Sequence, residues 1–168
     1  MIQKKVCMLG TYAVGKTSLV SRFVRSLFAE KYHSTVGVKV DKKVVAVGEE
    51  QMNLLLWDLY GEDDFQKIRT SYLRGSSGYI LVVDGTRYET LEKAVILQSR
   101  AREAVGADVP FVLALNKADL TDKWEVEDSA VEALVKQGWP AFKTSAKTGA
   151  GVEQMFLALA RRMAGLSS

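Results

Sequence analysis

Val6-Cys7-Met8-Leu9-Gly10-Thr11-Tyr12-Ala13-Val14-Gly15-Lys16-Thr17 joins an apolar run to a glycine-bounded loop, and Leu19, Val20, Phe23 and Val24 continue it at helical spacing. Strand, loop and helix in that order are the context in which the pattern G-x-x-x-x-G-K-[ST] forms a phosphate-binding loop. Gly10 and Gly15 let the backbone curl so that its N–H groups gather around phosphate oxygens, at a helix N-terminus already favourable to anions. Lys16 is placed to reach the outer phosphates, and the Thr17 hydroxyl to ligate Mg²⁺. The segment therefore implies a nucleoside-phosphate site on an α/β fold.

The rest of the chain extends that pattern. Apolar runs at Val6–Leu9, Leu54–Trp57, Tyr79–Val83 and Phe111–Leu115 suit strands covered on both faces. Amphipathic stretches lie between them. Val152, Met155, Phe156, Leu159 and Met163 form one core-facing helical stripe, and Val126, Ala130, Ala133 and Leu134 form another. Val38–Val47 and Met52–Asp58 are joined only by Gly48-Glu49-Glu50, which predicts an antiparallel hairpin on an otherwise parallel sheet. The expected architecture is a three-layer α/β domain with about six strands and five helices, spanning residues 1–168 as one domain.

Composition narrows the chemistry. The chain has 168 residues, 48% of them hydrophobic, enough for a substantial core. A formal charge of +3, with basic residues in scattered pairs such as Lys4-Lys5 and Lys42-Lys43, does not argue for nucleic acid. One cysteine and one histidine exclude an ordinary zinc site. Cys7, inside an apolar run, reads as a small buried hydrophobe. No long apolar span or signal peptide is visible, and the sequence ends Ala-Gly-Leu-Ser-Ser without a cysteine for prenylation. A cytoplasmic location without a membrane anchor in this chain is expected.

Asn116-Lys117-Ala118-Asp119, directly after an apolar run, points to the base. An aspartate there can accept from guanine's ring N–H and its exocyclic amine. Adenine lacks that donor pair and would leave the carboxylate unpaired. Asn116 can contact the opposite edge of the base and the Lys117 stem can lie over it. Turn formation or helix capping is the alternative role for such residues.

With these motifs in order, the chain resembles the Ras superfamily of small GTPases, and among its branches the Rab proteins. The likeness runs end to end. Phe28 and Tyr32-His33-Ser34-Thr35 match the first switch, followed by Val36-Gly37-Val38; Asp58-Leu59-Tyr60-Gly61 holds the Asp-x-x-Gly of the second. Phe65, Ile68, Ser71-Tyr72 and Arg74-Gly75 continue a Rab-like helix, and Thr144-Ser145-Ala146-Lys147 matches the last base-contacting loop.

The resemblance implies a GTP-binding switch that hydrolyses GTP to GDP and phosphate with Mg²⁺. It implies nucleotide contacts from Ala13, Val14, Gly15, Lys16, Thr17 and Ser18, from Phe28, Tyr32 and Thr35, and from Asp58 and Gly61. The base would be met by Asn116, Lys117, Asp119, Ser145, Ala146 and Lys147. Mg²⁺ ligation falls to Thr17, Thr35 and, through water, Asp58. Catalysis falls to Lys16, Thr35, Gly61 and the residue after it. Effector, exchange-factor and activator proteins would meet a monomer at its switches. Trp57 and Tyr72, with Val40, would line that surface or else pack in the core.

Two positions depart from the family. Glu62 stands where most members carry a water-orienting glutamine. An ionised glutamate only accepts hydrogen bonds and adds negative charge beside a triphosphate, although crowding could raise its pKa and make it a base. Tyr12 replaces a glycine or serine beside the γ-phosphate, where its ring would crowd an activator's arginine or turn to solvent. Slow intrinsic hydrolysis is the expectation. The alternative is a persistently GTP-bound scaffold. A P-loop kinase fits poorly, because it predicts no Asn-Lys-x-Asp.

Overall fold

The computed structural model describes residues 1–25, 37–60 and 70–166, with backbone alone at 59, 60 and 70. Its centre is a six-stranded sheet ordered β2-β3-β1-β4-β5-β6. The strands are β1 (Ile2–Leu9), β2 (Gly37–Val47), β3 (Glu50–Tyr60), β4 (Gly78–Asp84), β5 (Phe111–Asn116) and β6 (Ala141–Lys143). The described helices are α1 (Lys16–Arg25), α2 (Thr70–Leu73), α3 (Glu89–Val105), α4 (Asp128–Lys136) and α5 (Val152–Met163). Every pairing is parallel except β2 with β3, as the short connection between them requires. That connection is tighter than the sequence suggests. Glu50 already pairs with Val47, so Gly48 and Glu49 alone make the turn.

The apolar runs are split by the two-residue period of a strand. Val6, Met8, Leu54, Leu56, Ile80, Val82, Val112 and Ala114 face one side, under α1 and α5. Cys7, Leu9, Tyr79, Leu81, Val83, Leu113 and Leu115 face the other, under α2, α3 and α4. Strands buried on both faces need nearly unbroken apolar sequence, and β4 is buried at all seven positions. On the first face Phe23 of α1 stacks on Phe156 of α5, with centroids 4.1 Å apart. On the second, Phe111 lies between Tyr79 and Trp139, at 5.3 Å and 5.2 Å.

The α5 stripe matches its reading: Val152, Met155, Phe156 and Leu159 are buried, and Met163 packs at the margin. The α4 stripe is shifted. The helix begins at Asp128, so the buried Val126 precedes it, Ala133 is exposed, and Ala130, Val131 and Leu134 face the core. Cys7 is fully buried, with its Sγ 3.1 Å from Ser76 Oγ, and burial pushes its thiol pKa up. Among the described residues no helix is long and apolar enough to cross a membrane.

Parallel pairing puts the C-terminal ends of β1, β3, β4, β5 and β6 along one edge. Open α/β sheets bind ligands at that edge.

Candidate functional site

The loop from Gly10 to Gly15 leaves β1 at this edge, and α1 starts with Lys16, the Leu19 N–H donating to the Gly15 carbonyl at 2.9 Å. Gly15 stands at φ +105, and a Cβ there would overlap the side-chain amide of Asn116. The glycine thus serves both a turn and a close approach. Lys16 is buried, and its ammonium bends over the loop, donating to the carbonyls of Gly10 at 3.0 Å and Thr11 at 3.2 Å.

Thr17, in the first turn of α1, lies beside Asp58, a buried carboxylate of β3. The Thr17 hydroxyl donates to Asp58 Oδ2 at 2.6 Å. A hydroxyl and a carboxylate this close are the hard oxygen donors that suit Mg²⁺, which takes its remaining ligands from water and phosphate. The fit rests on that pair, since among the described residues no group of three His, Cys, Asp or Glu could hold a metal.

Asn116 ends β5 and is buried. Its amide nitrogen donates to the Val14 carbonyl at 3.0 Å, and its oxygen accepts from the Thr144 hydroxyl at 3.2 Å. Lys117 follows at φ +68, and its ammonium donates to the Ala13 carbonyl at 2.9 Å. Asp119 Oδ1 accepts from Ser145 Oγ at 2.7 Å. Beyond β6, Ser145 and Ala146 are buried. Arg22 of α1 donates to the carbonyls of Ala146 at 2.8 Å and Lys147 at 2.5 Å, tying α1 to the loop after β6.

Ala13, Val14, Gly15, Lys16, Thr17, Ser18, Asp58, Asn116, Lys117, Asp119, Ser145, Ala146 and Lys147 therefore lie on segments that meet at one sheet edge. Lys16, Thr17 and Ser18 are in α1, Asp58 is in β3, Asn116 ends β5 and the rest are in loops. Phe28, Tyr32, Thr35, Gly61 and Glu62 lie outside the described residues. Tyr12 is partly exposed, at 37%. Tyr72 packs in the core and donates to the Trp57 carbonyl at 2.6 Å, whereas Val40 is exposed. Trp57 is half-buried, with the Lys5 ammonium 3.9 Å from its ring centroid.

Sequence reading missed a carboxylate. Asp84, at the end of β4, is almost fully buried. Its Oδ1 accepts from the Thr86 N–H at 2.9 Å and hydroxyl at 2.7 Å; its Oδ2 meets Lys117 Nζ at 2.9 Å and Arg87 Nε at 3.0 Å. Burial raises its pKa, but the bonds from Thr86, Lys117 and Arg87 outweigh that and hold it below the ordinary aspartate value. Gly85 beside it has the Trp124 ring lying where a Cβ would stand. The signal was an aspartate closing an all-apolar run at the same edge as the other motifs.

Comparison with known proteins agrees with this geometry. A model of the Ras family matches residues 5–165. The chain is similar to the Ras-related protein Rab-4 of Dictyostelium discoideum, 35% identical over 158 residues, which is 94% of this chain and 77% of that one. It is likewise similar to the Ras-related protein Rab-13 of Canis lupus familiaris, 34% identical over 158 residues, covering 94% and 78%. Ordered strands, a phosphate loop and an Asn-Lys-x-Asp loop at one edge, and similarity along nearly the whole length, lead to one assignment: the chain belongs to the Ras family of GTP-binding switch GTPases.

Proposed function

We propose that residues 1–168 act as one unit that binds GTP or GDP with Mg²⁺ and hydrolyses GTP slowly. The observation that carries this reading is the meeting of Lys16, the Thr17–Asp58 pair and the Asn116, Asp119 and Ser145 set at one sheet edge. Lys16 would exchange its loop carbonyls for phosphate oxygens. Thr17 and Asp58 would hold the metal, Asp58 through water, with Thr35 joining them when a γ-phosphate is present. Mg²⁺, when bound, neutralises phosphate charge and orients the phosphate oxygens.

Asp119 would accept from guanine's two donors, with Ser145 fixing the carboxylate and Ala146 offering its N–H to the base oxygen. Asn116 and Lys117 brace the phosphate loop from the base side, and Phe28, Tyr32 and Lys147 complete the nucleotide's surroundings. Water attacks the γ-phosphorus and the bond to the β–γ bridging oxygen breaks, giving GDP and phosphate. Catalysis is mainly positioning and charge neutralisation by Lys16, Thr35 and the Gly61 N–H. An ionised Glu62 cannot both donate and accept as glutamine does, and the Tyr12 ring would crowd the space an activating arginine enters. The protein would work as a cytoplasmic monomer whose switches meet effector, exchange-factor and activator proteins.

A single-turnover GTP assay tests this reading with the wild type, Glu62→Gln and Tyr12→Gly. Slow wild-type hydrolysis, accelerated by either change, is expected. Fast wild-type turnover that neither change improves contradicts it, and indefinite retention of GTP supports the scaffold alternative.

A further inference from the structure

Three successive carbonyls of the phosphate loop are each tied down by a side chain from beyond it. Arg87 Nη2 donates to the Tyr12 carbonyl at 2.9 Å, Lys117 Nζ to Ala13 at 2.9 Å and Asn116 Nδ2 to Val14 at 3.0 Å. The peptides are trans, so each C=O points opposite to the next residue's N–H. Holding those carbonyls toward their donors turns the N–H groups of Ala13, Val14 and Gly15 to the other side of the loop. Arg87 governs the first of the three. Its guanidinium is fixed at its other nitrogen by Asp84 Oδ2, 3.0 Å from Nε. The same carboxylate oxygen holds Lys117 at 2.9 Å, so one buried acid sets two of the three donors.

We propose that Arg87 is a positioning residue of the phosphate loop: pinned by Asp84, it draws the Tyr12 carbonyl outward and so aims the Ala13 N–H at a nucleotide phosphate. This rests on the nucleotide-binding reading above. The rigid fork of arginine matters, because Nε meets the acid while Nη2 meets the carbonyl. A lysine has one nitrogen for both. A donor carrying charge also polarises the Tyr12–Ala13 peptide and strengthens its N–H as a donor. Asp84 offsets part of the charge of Arg87 and Lys117 together, and Arg87 acts on the loop through the Tyr12 carbonyl without needing to touch the phosphate.

The test follows release of fluorescent GDP, with phosphorus NMR of bound GDP, in the wild type, Arg87→Ala and Arg87→Lys. Arg87→Ala is expected to release GDP about tenfold faster, the loss of one charge-assisted hydrogen bond. It should also shift the bound β-phosphate resonance while keeping the preference for GDP over ADP. Arg87→Lys should lie between the two, and it reads the effect even if the alanine variant fails to fold. Unchanged release and resonance in Arg87→Lys, or in a folded Arg87→Ala, overturn the proposal while leaving the nucleotide reading intact. Faster release accompanied by loss of guanine preference also overturns it, because the arginine would then act on the base loop. A wild type that binds no GDP ends both.

Discussion

Lys117 donates to the Ala13 carbonyl, and both residues stand at positive φ, +68 and +65. Left-handed backbone costs a residue with a Cβ about 1–2 kcal/mol, so two such residues persist only when their surroundings hold them there. Here each helps to hold the other. The base loop and the phosphate loop are therefore one mechanical unit. Lys117→Ala removes the Ala13 contact and one of Asp84's partners together. GDP release should rise by about one to two orders of magnitude, in line with losing two charge-assisted bonds. Stopped-flow release of a fluorescent GDP checks it; wild-type release would show the loops to be uncoupled.

The Thr17–Asp58 pair predicts how the metal acts. Chelating Mg²⁺ should speed wild-type GDP release by about tenfold or more, the worth of one good ligand interaction. Thr17→Val keeps the shape but removes the hydroxyl, and should release GDP at the chelated rate whether or not Mg²⁺ is present. Thr17→Ser should retain the metal response. A valine variant that still responds to chelation would place the metal elsewhere.

Gly85 carries a stability prediction. Trp124 lies against its backbone, and the Gly85 carbonyl accepts from the N–H groups of Glu125 at 2.8 Å and Val126 at 3.1 Å. Gly85→Ala must displace the indole or the strand end, at a cost of about 1–3 kcal/mol as in overpacked cores. Thermal unfolding measures the loss. Because Asp84 adjoins, nucleotide release should quicken too.

Asp84 predicts a pH dependence. Its pKa is lowered on folding, so its stabilisation is complete above the ordinary aspartate value and disappears as pH falls from there through the depressed folded value. The difference in melting temperature between wild type and Asp84→Asn should be constant from neutrality into mild acid. It should shrink only below the ordinary aspartate pKa. A difference that closes between neutrality and mild acid would show the carboxylate to be unpaired in the native state.

The sheet was readable in advance because strands covered on both faces need apolar residues at every position, and such runs stand out. The hairpin followed from the short connection alone. Gly15, Lys16, Thr17, Asn116 and Asp119 could be picked out because their motifs have fixed spacing, and the structure brings them to one sheet edge. Asp84, Arg87 and Arg22 were not. Arg87 and Arg22 work across 75 and 124 residues of separation, through contacts to carbonyls that any residue could supply. Asp84 acts only through the side chains of Thr86, Arg87 and Lys117 that it gathers. The α4 stripe was misphased for a related reason: periodicity alone did not show that the helix starts only at Asp128, after Val126.

Competition at the nucleotide site tests the central claim most directly. With fluorescent GDP bound in the presence of Mg²⁺, GTP should displace it near equivalence, whereas ATP in about a thousandfold excess should leave it in place. That margin is the penalty for stranding a carboxylate that guanine would satisfy. In Asp119→Ala the margin should collapse. Displacement of GDP by ATP as readily as by GTP in the wild type would contradict the assignment of Asn116, Asp119 and Ser145 to the base.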